Sequence, residues 1–201
     1  SRSDTMLRHF DRLVKDIISE NAIGSLLEVG SNDGLFIRYA SKKGFDPVAG
    51  VDPAANLAPD AALNNQIVGF FNNEVIGKVS EKMGAVDNII ARHCFCHQEW
   101  KPFIETCELL SHKGTLVGIE VPYAPDLLAR VEFDSIYQEH TSYLTLKSVV
   151  ALLKGTMFHI HGVVKYGIHG GAVLIMLRRN DSGIVPHLSA DEYLHEEHVT
   201  E

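Results

Sequence analysis

The sequence predicts one α/β domain, built as an open, mostly parallel sheet with helices on both faces. Short apolar runs alternate with amphipathic helical stretches through residue 150, a pattern typical of parallel strands joined by helical crossovers. The 201 residues are 45% hydrophobic and 22% charged, which is close to the average of globular chains and enough for one full core. The last two apolar runs follow each other directly, so we expect an antiparallel pair at one edge of the sheet.

The individual elements follow from hydrophobic spacing. Apolar residues recur at helical spacing through residues 4–20, which predicts an amphipathic first helix. A short apolar run ending at Gly30, a cluster of Gly, Asn and Asp, and a helical stretch ending at Gly44 predict a strand, a turn and a helix. The predicted strands cover residues 25–29, 47–51, 66–68, 87–91, 115–121, 158–164 and 173–177. The predicted helices cover residues 4–20, 35–43, 72–82, 100–111 and 145–153.

Charge is distributed unevenly along the chain. The 18 Lys and Arg against 26 Asp and Glu give a net charge of −8, and six of the acidic residues lie in residues 180–201, which contain no Lys or Arg. We interpret residues 1–179 as the folded domain and residues 180–201 as an acidic tail or the start of a further region. Because the remaining body is nearly neutral, it lacks the basic face that a nucleic-acid backbone requires, and a small-molecule substrate is favoured.

The cysteines and the hydropathy pattern favour the cytoplasm. Cys94, Cys96 and Cys107 are too few, and odd in number, for a disulfide framework, which favours a reducing compartment. No apolar run approaches the roughly 18 residues of a membrane-spanning helix, and the first residues lack the apolar core of a signal peptide. We therefore expect neither secretion nor a membrane partner.

The turn after the first predicted strand carries the strongest ligand signal. A dinucleotide fingerprint needs a second glycine two residues after the first, but Asn32 stands two residues after Gly30 here. An open backbone at Gly30 instead suits an amino-acid-like group, and Glu28 is available to its ammonium or to amides of the turn. Asp52, 22 residues after Gly30, can accept hydrogen bonds from ribose hydroxyls. The pattern favours S-adenosylmethionine over NAD; the alternative is a purely structural turn with Asp52 as a helix cap.

Five segments resemble the central domain of the S-adenosylmethionine-dependent sugar C-methyltransferases. They are Leu-Glu-Val-Gly-Ser-Asn-Asp-Gly at 27–34, Gly-Val-Asp-Pro-Ala-Ala-Asn at 50–56, Glu-Val-Pro-Tyr at 120–123, Phe-Asp-Ser-Ile-Tyr-Gln-Glu-His-Thr-Ser-Tyr at 133–143 and His-Gly-Gly at 169–171. The fourth segment is the most specific. These enzymes add a branch methyl to nucleotide-linked 4-keto-6-deoxyhexoses, so the resemblance implies a role in deoxysugar biosynthesis.

The resemblance covers about residues 6–179 and also implies a fold. It is the Rossmann-like fold of class I methyltransferases, a seven-stranded, mostly parallel sheet with one antiparallel strand. The family's flanking zinc-binding domain and second α/β domain have no counterpart in the 201 residues. We therefore expect either an excised catalytic core or a related enzyme that receives its acceptor differently.

Three of the four catalytic residues implied by the resemblance lie in the fourth segment. C-methylation requires removal of a proton beside a carbonyl group, so that the enolate carbon can attack the methyl group, and a histidine has a suitable pKa. His140 is the expected base. Tyr137 is a candidate donor to the developing oxyanion, and Glu139 a candidate to hold a neighbouring group or a substrate hydroxyl. His97 falls where the family keeps a further histidine.

The expected cofactor site combines the turn with nearby aromatic residues. Its members are Glu28, Gly30, Ser31, Asn32, Gly34, Asp52, Pro53, Phe70, Phe71 and Arg92. Phe70 and Phe71 stand where the family has a similar aromatic pair and are candidates to flank the adenine. Tyr39 and Trp100 are candidates to face the sulfonium through cation–π attraction. Core packing is the alternative for all four aromatic residues.

A metal-assisted mechanism is the principal alternative. His93 and His97, together with Gln138, Glu139 or His140, would supply ligands for Fe, Mn or Zn that polarises an acceptor carbonyl. Similar methyltransferase domains of polyketide assembly lines methylate β-keto acyl chains, sometimes with a metal. We expect a loop over residues 93–97, which argues against a helical ligand pair, and we assign no metal ligand.

A non-catalytic nucleotide-binding domain is a further alternative. It would keep the turn after the first strand and lose the acceptor site. The joint presence of Tyr137, Glu139 and His140 argues against it.

Overall fold

The computed structural model describes residues 3–54, 65–168, 171–187, 192–195 and 197. Two of the quoted segments therefore lie partly outside the described residues, namely 50–56 and 169–171. The strands are β1 Leu26–Val29, β2 Val48–Asp52, β3 Gln66–Val68, β4 Val86–Arg92, β5 Ser111–Pro122, β6 Phe158–Tyr166 and β7 Ala172–Arg179. The helices are α1 Asp4–Glu20, α2 Leu35–Lys42, α3 Asn73–Met83, α4 Trp100–Leu110, α5 Ala124–Arg130 and α6 Leu146–Leu152, with short 3-10 helices at Phe95–His97 and Phe133–Ser135.

The strands form one seven-stranded sheet in the order β3-β2-β1-β4-β5-β7-β6. The pairs from β3 to β5 are parallel. Strand β7 is inserted between β5 and β6 and runs antiparallel to both. The expected sheet with one antiparallel strand and a closing antiparallel pair is therefore confirmed.

Helices cover both faces of the sheet, as expected. Successive strand residues point to opposite faces, so Leu27 packs with α3, α4 and α6, whereas Leu26 packs with α1 and α2. Helix α1 owes its position to Phe10, Leu13 and other apolar residues at helical spacing, all buried against the second face.

Two local features differ from the expectations. Helix α5 has no predicted counterpart, because it is short, begins with a proline in its first turn and leaves Leu128 exposed, so its apolar residues lack a helical period. Residues 93–97 are not a plain loop. His93 has a left-handed backbone with φ of 51°, and Phe95–His97 form a 3-10 helix.

The segment after β7 contacts the domain through Glu197. The carboxylate of this buried residue accepts hydrogen bonds from the backbone N–H groups of Leu146, at 2.7 Å, and Lys147, at 3.0 Å. The Tyr123 hydroxyl donates to the same carboxylate. Glu197 therefore joins the end of β5 to the start of α6.

Among the described residues, no helix combines the length and the apolar character needed to cross a bilayer. The helices are instead amphipathic and lie on the sheet.

Candidate functional site

The parallel strands end at one edge of the sheet, and the turn after β1 lies there. Gly30 has a φ of 70°, a left-handed conformation that favours glycine. A Cβ atom at Gly30 would lie 2.6 Å from the Cβ of Cys94. Glycine is therefore required at this position for two independent reasons, the backbone angle and the close approach of the loop after β4.

Asp52, at the end of β2, holds the turn from the neighbouring strand. Its Oδ2 accepts the backbone N–H of Asn32 at 2.8 Å, and its Oδ1 accepts that of Ala54 at 2.8 Å. Gln66 donates to the Asn32 carbonyl oxygen at 2.7 Å. Each oxygen of the Asp52 carboxylate accepts further hydrogen bonds through its remaining lone pairs, so a structural role does not exclude ligand binding.

A cavity of about 580 Å³ opens beside the turn, a size in the range of roughly 300–1,000 Å³ found for small-molecule sites. Five expected cofactor residues line it: Gly30, Asp52, Pro53, Phe70 and Phe71. Three others, Ser31, Asn32 and Gly34, do not line it and instead shape the turn. Glu28 and Arg92 are also absent from its lining.

The two aromatic residues of the cavity differ in exposure. Phe70 is 68% exposed, whereas Phe71 is 5% exposed and packs against Phe103 with ring centroids 5.2 Å apart. Phe70 therefore offers a free ring face to a planar ligand, and Phe71 belongs largely to the core.

Tyr39 and Trp100 do not line the cavity. The Tyr39 hydroxyl donates to Asp11 at 2.9 Å on the α1 and α2 side of the sheet, and Trp100 packs against the opposite core. Neither lies where the expected contact with a sulfonium would form.

Glu28 and Arg92 lie side by side beneath the turn, with Glu28 buried and Arg92 half-buried. Glu28 is 2% exposed, and its Oε1 lies 3.4 Å from an Nη atom of Arg92. The Arg92 guanidinium lies over the rings of Phe10, at 4.4 Å, and Phe36, at 4.7 Å. Burial raises the pKa of Glu28 to about 8, against the opposing charge of Arg92. Glu28 does not line the cavity, so its expected contact with a cofactor ammonium stays a prediction.

Glu120 is a fully buried residue near the end of β5. It was not among the site residues expected from the sequence. Its Oε1 lies 2.8 Å from His9 Nε2 and accepts a hydrogen bond from His93 Nε2 at 3.0 Å. Burial acts to raise the pKa of Glu120, but the two histidines beside the carboxylate outweigh it and lower the pKa to about 2. The sequence feature that could have identified Glu120 was its position at the start of the Glu-Val-Pro-Tyr segment. His93 is therefore engaged with Glu120 and does not join His97 and His140 as the metal-ligand set considered above would require.

The expected catalytic residues meet at the opening of the cavity. His97 lines the cavity, and its ring lies 4.9 Å from that of His140. The Tyr137 hydroxyl lies 2.7 Å from His140 Nε2. Glu139 contributes its backbone carbonyl, 2.6 Å from His97 Nδ1, while its side chain is exposed.

The hydrogen bonds of His140 define its tautomer. Nδ1 lies 2.9 Å from the carbonyl oxygen of Ser135, which can only accept, so Nδ1 carries the proton. Nε2 then has the free lone pair and accepts from the Tyr137 hydroxyl. His140 thus carries an unprotonated nitrogen beside the cavity, next to His97, which lines it.

Fold and site together define a class of protein: a Rossmann-like domain of the class I methyltransferase type, with a nucleoside-sized cavity after β1 and β2. The chain belongs to the methyltransferase domain family, whose model matches residues 3–161. It is an S-adenosylmethionine-dependent methyltransferase.

A curated relative is the C-methyltransferase NovU of Streptomyces niveus, 29% identical over 182 residues. The match covers 87% of this chain and 43% of NovU, so the chain spans less than half the length of that relative.

Solved structures share the fold. Magnesium protoporphyrin IX methyltransferase from Synechocystis PCC 6803, with bound SAH, superimposes with a TM-score of 0.63 at 11% identity, over 86% of this chain and 83% of that one. The PH0226 protein from Pyrococcus horikoshii OT3 gives a TM-score of 0.66 at 16% identity, over 88% and 90% of the two chains.

The residues around the cavity fit S-adenosylmethionine. Gly30 presents bare backbone, Asp52 presents a carboxylate at the end of β2, and Phe70 presents an exposed ring. These groups suit an amino-acid portion, a ribose and an adenine in turn.

Proposed function

We propose that this methyltransferase acts on carbon: it deprotonates the carbon beside the ketone of a nucleotide-linked keto-deoxysugar and methylates the resulting enolate. Three findings support the proposal. NovU is a C-methyltransferase by name, the segment 133–143 resembles sugar C-methyltransferases, and His140 presents a basic nitrogen beside the cofactor cavity. The last observation carries the proposal. The three free cysteines also favour a cytoplasmic location.

The proposed binding roles follow from the cavity lining. Asp52 accepts hydrogen bonds from the ribose hydroxyls, Gly30 admits the methionine portion, and Phe70 covers the adenine. Bound S-adenosylmethionine supplies an electrophilic methyl group next to the acceptor.

His140 and Tyr137 carry the proton transfer in this proposal. The acceptor C–H approaches His140 Nε2 and takes the place of the Tyr137 hydroxyl, which bonds that nitrogen at 2.7 Å. Nε2 takes the proton, and the electron pair of the C–H bond moves into the enolate. The displaced Tyr137 hydroxyl then donates to the enolate oxygen, where stabilisation of the developing charge is most effective.

Solvent exchange of the acceptor proton tests the base directly. The enzyme is incubated in D₂O with a nucleotide-linked 4-keto-6-deoxyhexose and S-adenosylhomocysteine, and deuterium uptake is followed by mass spectrometry. We expect His140→Asn to lower exchange and methyl transfer by about 10²- to 10⁴-fold with unchanged affinity for S-adenosylhomocysteine. His195→Asn, at an exposed position, is the matched control. Exchange by His140→Asn at the native rate would exclude His140 as the base.

A β-keto acyl acceptor is a second candidate, favoured by an apolar groove next to the catalytic cluster. The groove has a volume of about 340 Å³, and its lining is apolar except for Glu132 and the Tyr143 hydroxyl. Leu128, 78% exposed, lies at its surface. If the acceptor is an acyl chain, Leu128→Glu lowers turnover of β-keto acyl thioesters; if it is a keto sugar, the native enzyme methylates the sugar nucleotide and the variant does so equally well.

A further inference from the structure

Cys96, His97 and His140 form a compact cluster at the opening of the cofactor cavity. One potential ligand atom from each residue lies within 4.8 Å of the other two. We propose that these three side chains bind a zinc ion, and that this ion blocks methyl transfer by occupying the basic nitrogen of His140. The site differs from the metal set considered from the sequence, because it uses Cys96 and leaves out His93.

The hydrogen bonds of the two histidines are a second, independent observation. His97 Nδ1 lies 2.6 Å from the carbonyl oxygen of Glu139, and His140 Nδ1 lies 2.9 Å from that of Ser135. Metal-binding histidines almost always donate one ring N–H to such a carbonyl or carboxylate, which orients the ring and raises the basicity of the other nitrogen. Both rings therefore carry their lone pair on Nε2.

The two segments that carry the ligands are fastened to each other. The backbone N–H and the hydroxyl of Thr141 both donate to the Cys96 carbonyl oxygen at 2.9 Å. This holds the His140 loop against the 3-10 helix that carries Cys96 and His97. The ligand set is therefore largely assembled before an ion binds.

The ligand types select zinc. One thiolate and two imidazoles suit Zn²⁺, whereas Mg²⁺ and Ca²⁺ prefer oxygen ligands. Zinc bonds of about 2.0–2.3 Å place tetrahedral ligands roughly 3.5 Å apart. One candidate ligand atom from each side chain already lies within 4.8 Å of the others, and the three must move closer when the ion binds. Cys96 loses its proton to solvent on binding, and a water molecule completes the tetrahedron.

Inhibition follows from competition for one atom. His140 Nε2 accepts the Tyr137 hydroxyl at 2.7 Å, and zinc needs the same lone pair. The proposed binding of zinc does not depend on the proposed reaction. The proposed inhibition rests on the proposed function, because zinc blocks methyl transfer only if His140 is the base.

Metal titration of the chelator-treated full chain tests binding without any assay of activity. We expect Zn²⁺ to bind one per chain by calorimetry, and Co²⁺ to give a thiolate-to-cobalt charge-transfer band that Zn²⁺ removes. Cys96→Ala should abolish the band and weaken zinc binding by about 100-fold or more, beyond the roughly 10- to 100-fold typical of second-shell losses. Cys107→Ala, at another buried cysteine, should bind like the native chain. Equal zinc binding by both variants overturns the proposal.

Tyr137→Phe tests which nitrogen is used. Removing the competing hydroxyl frees His140 Nε2, so zinc should bind about three- to tenfold more tightly. Unchanged or weaker binding overturns the assignment of Nε2.

Activity assays separate the two parts of the proposal. Zinc should inhibit the native enzyme over the concentration range in which it binds, and Cys96→Ala should keep its activity and resist zinc. If zinc binds the native chain but leaves methyl transfer unchanged, inhibition and the role of His140 as base are both wrong, while the metal site stands.

Discussion

The Asp52 carboxylate accepts the backbone N–H of Asn32 at 2.8 Å, so the acid that ends β2 also holds the turn that follows β1. The ends of β1 and β2 are thereby joined beside the cavity that Gly30 and Asp52 line. A substitution of Asp52 therefore changes two things at once, the carboxylate available to a ligand and the hydrogen bond that shapes the glycine turn.

Two replacements of Asp52 should show how much of the affinity for the cofactor depends on its carboxylate oxygens. Asp52→Asn keeps one acceptor oxygen, whereas Asp52→Ala keeps none. We expect about a 10- to 100-fold weaker affinity for S-adenosylhomocysteine in Asp52→Ala, because charge-assisted hydrogen bonds are lost, and an intermediate loss in Asp52→Asn. Calorimetric titration measures both. Native affinity in Asp52→Ala would remove the residue from the cofactor site.

Gly30→Ala should cost more stability than Gly183→Ala. Both glycines have a positive φ, of 70° and 74°, but a Cβ at Gly183 meets nothing within 4 Å, whereas at Gly30 it lies 2.6 Å from the Cβ of Cys94. We expect Gly183→Ala to lower the free energy of unfolding by about 1–2 kcal/mol through backbone strain alone. Gly30→Ala should exceed this by at least about 1 kcal/mol and should also lose cofactor binding. Urea unfolding gives the comparison, and equal losses would contradict the clash.

Phe70 and Phe71 should respond oppositely to truncation. Phe70→Ala is expected to weaken cofactor binding with little change in stability, since its ring is 68% exposed. Phe71→Ala should lower the free energy of unfolding by about 3–5 kcal/mol, the usual cost of removing a buried aromatic ring. Thermal unfolding and calorimetry, applied to both variants, measure the two effects. A large loss of stability in Phe70→Ala would contradict the assignment.

The raised pKa of buried Glu28 should make stability depend on pH. Burial raises the pKa of Glu28 to about 8 in the folded protein, from 4.5 for the unperturbed group. The folded state therefore holds a proton that the unfolded state releases, so this contribution to stability is complete below about pH 4.5 and is lost as pH rises toward 8.

Glu28→Gln, which is neutral at every pH, should lack this dependence. Its free energy of unfolding relative to the native chain should rise between about pH 5 and pH 8. Unfolding by urea at four pH values in that window is the measurement. A constant difference across the window would mean that Glu28 is already ionised in the folded protein.

The sheet could be predicted from the sequence because its signals are local. Even β3, only Gln66–Val68, is marked by two β-branched residues between Gln66 and Gly69. The glycine turn is likewise encoded within a few residues, since Gly30 and Gly34 supply the left-handed conformations that the turn needs.

The rest depends on contacts between distant residues. The burial of Arg92 requires both the register that sets it opposite Glu120 and the rings that α1 and α2 bring to it. The contact between His9 and Glu120 joins the first helix to the fifth strand. No local period encodes such contacts, and the proximity of His97 to His140 was suggested only by the family resemblance and by the metal alternative.

Glu197 has a consequence for where this domain can be cut. Two of the N–H groups that the first turn of α6 leaves unsatisfied are accepted by Glu197, and a third, from Ser148, is accepted by Thr145. Part of the N-terminal cap of α6 is therefore supplied by Glu197, which lies 18 residues after the end of β7 at Arg179. We therefore expect a catalytic unit cut after β7 to lose these two hydrogen bonds at the start of α6, a few residues after His140.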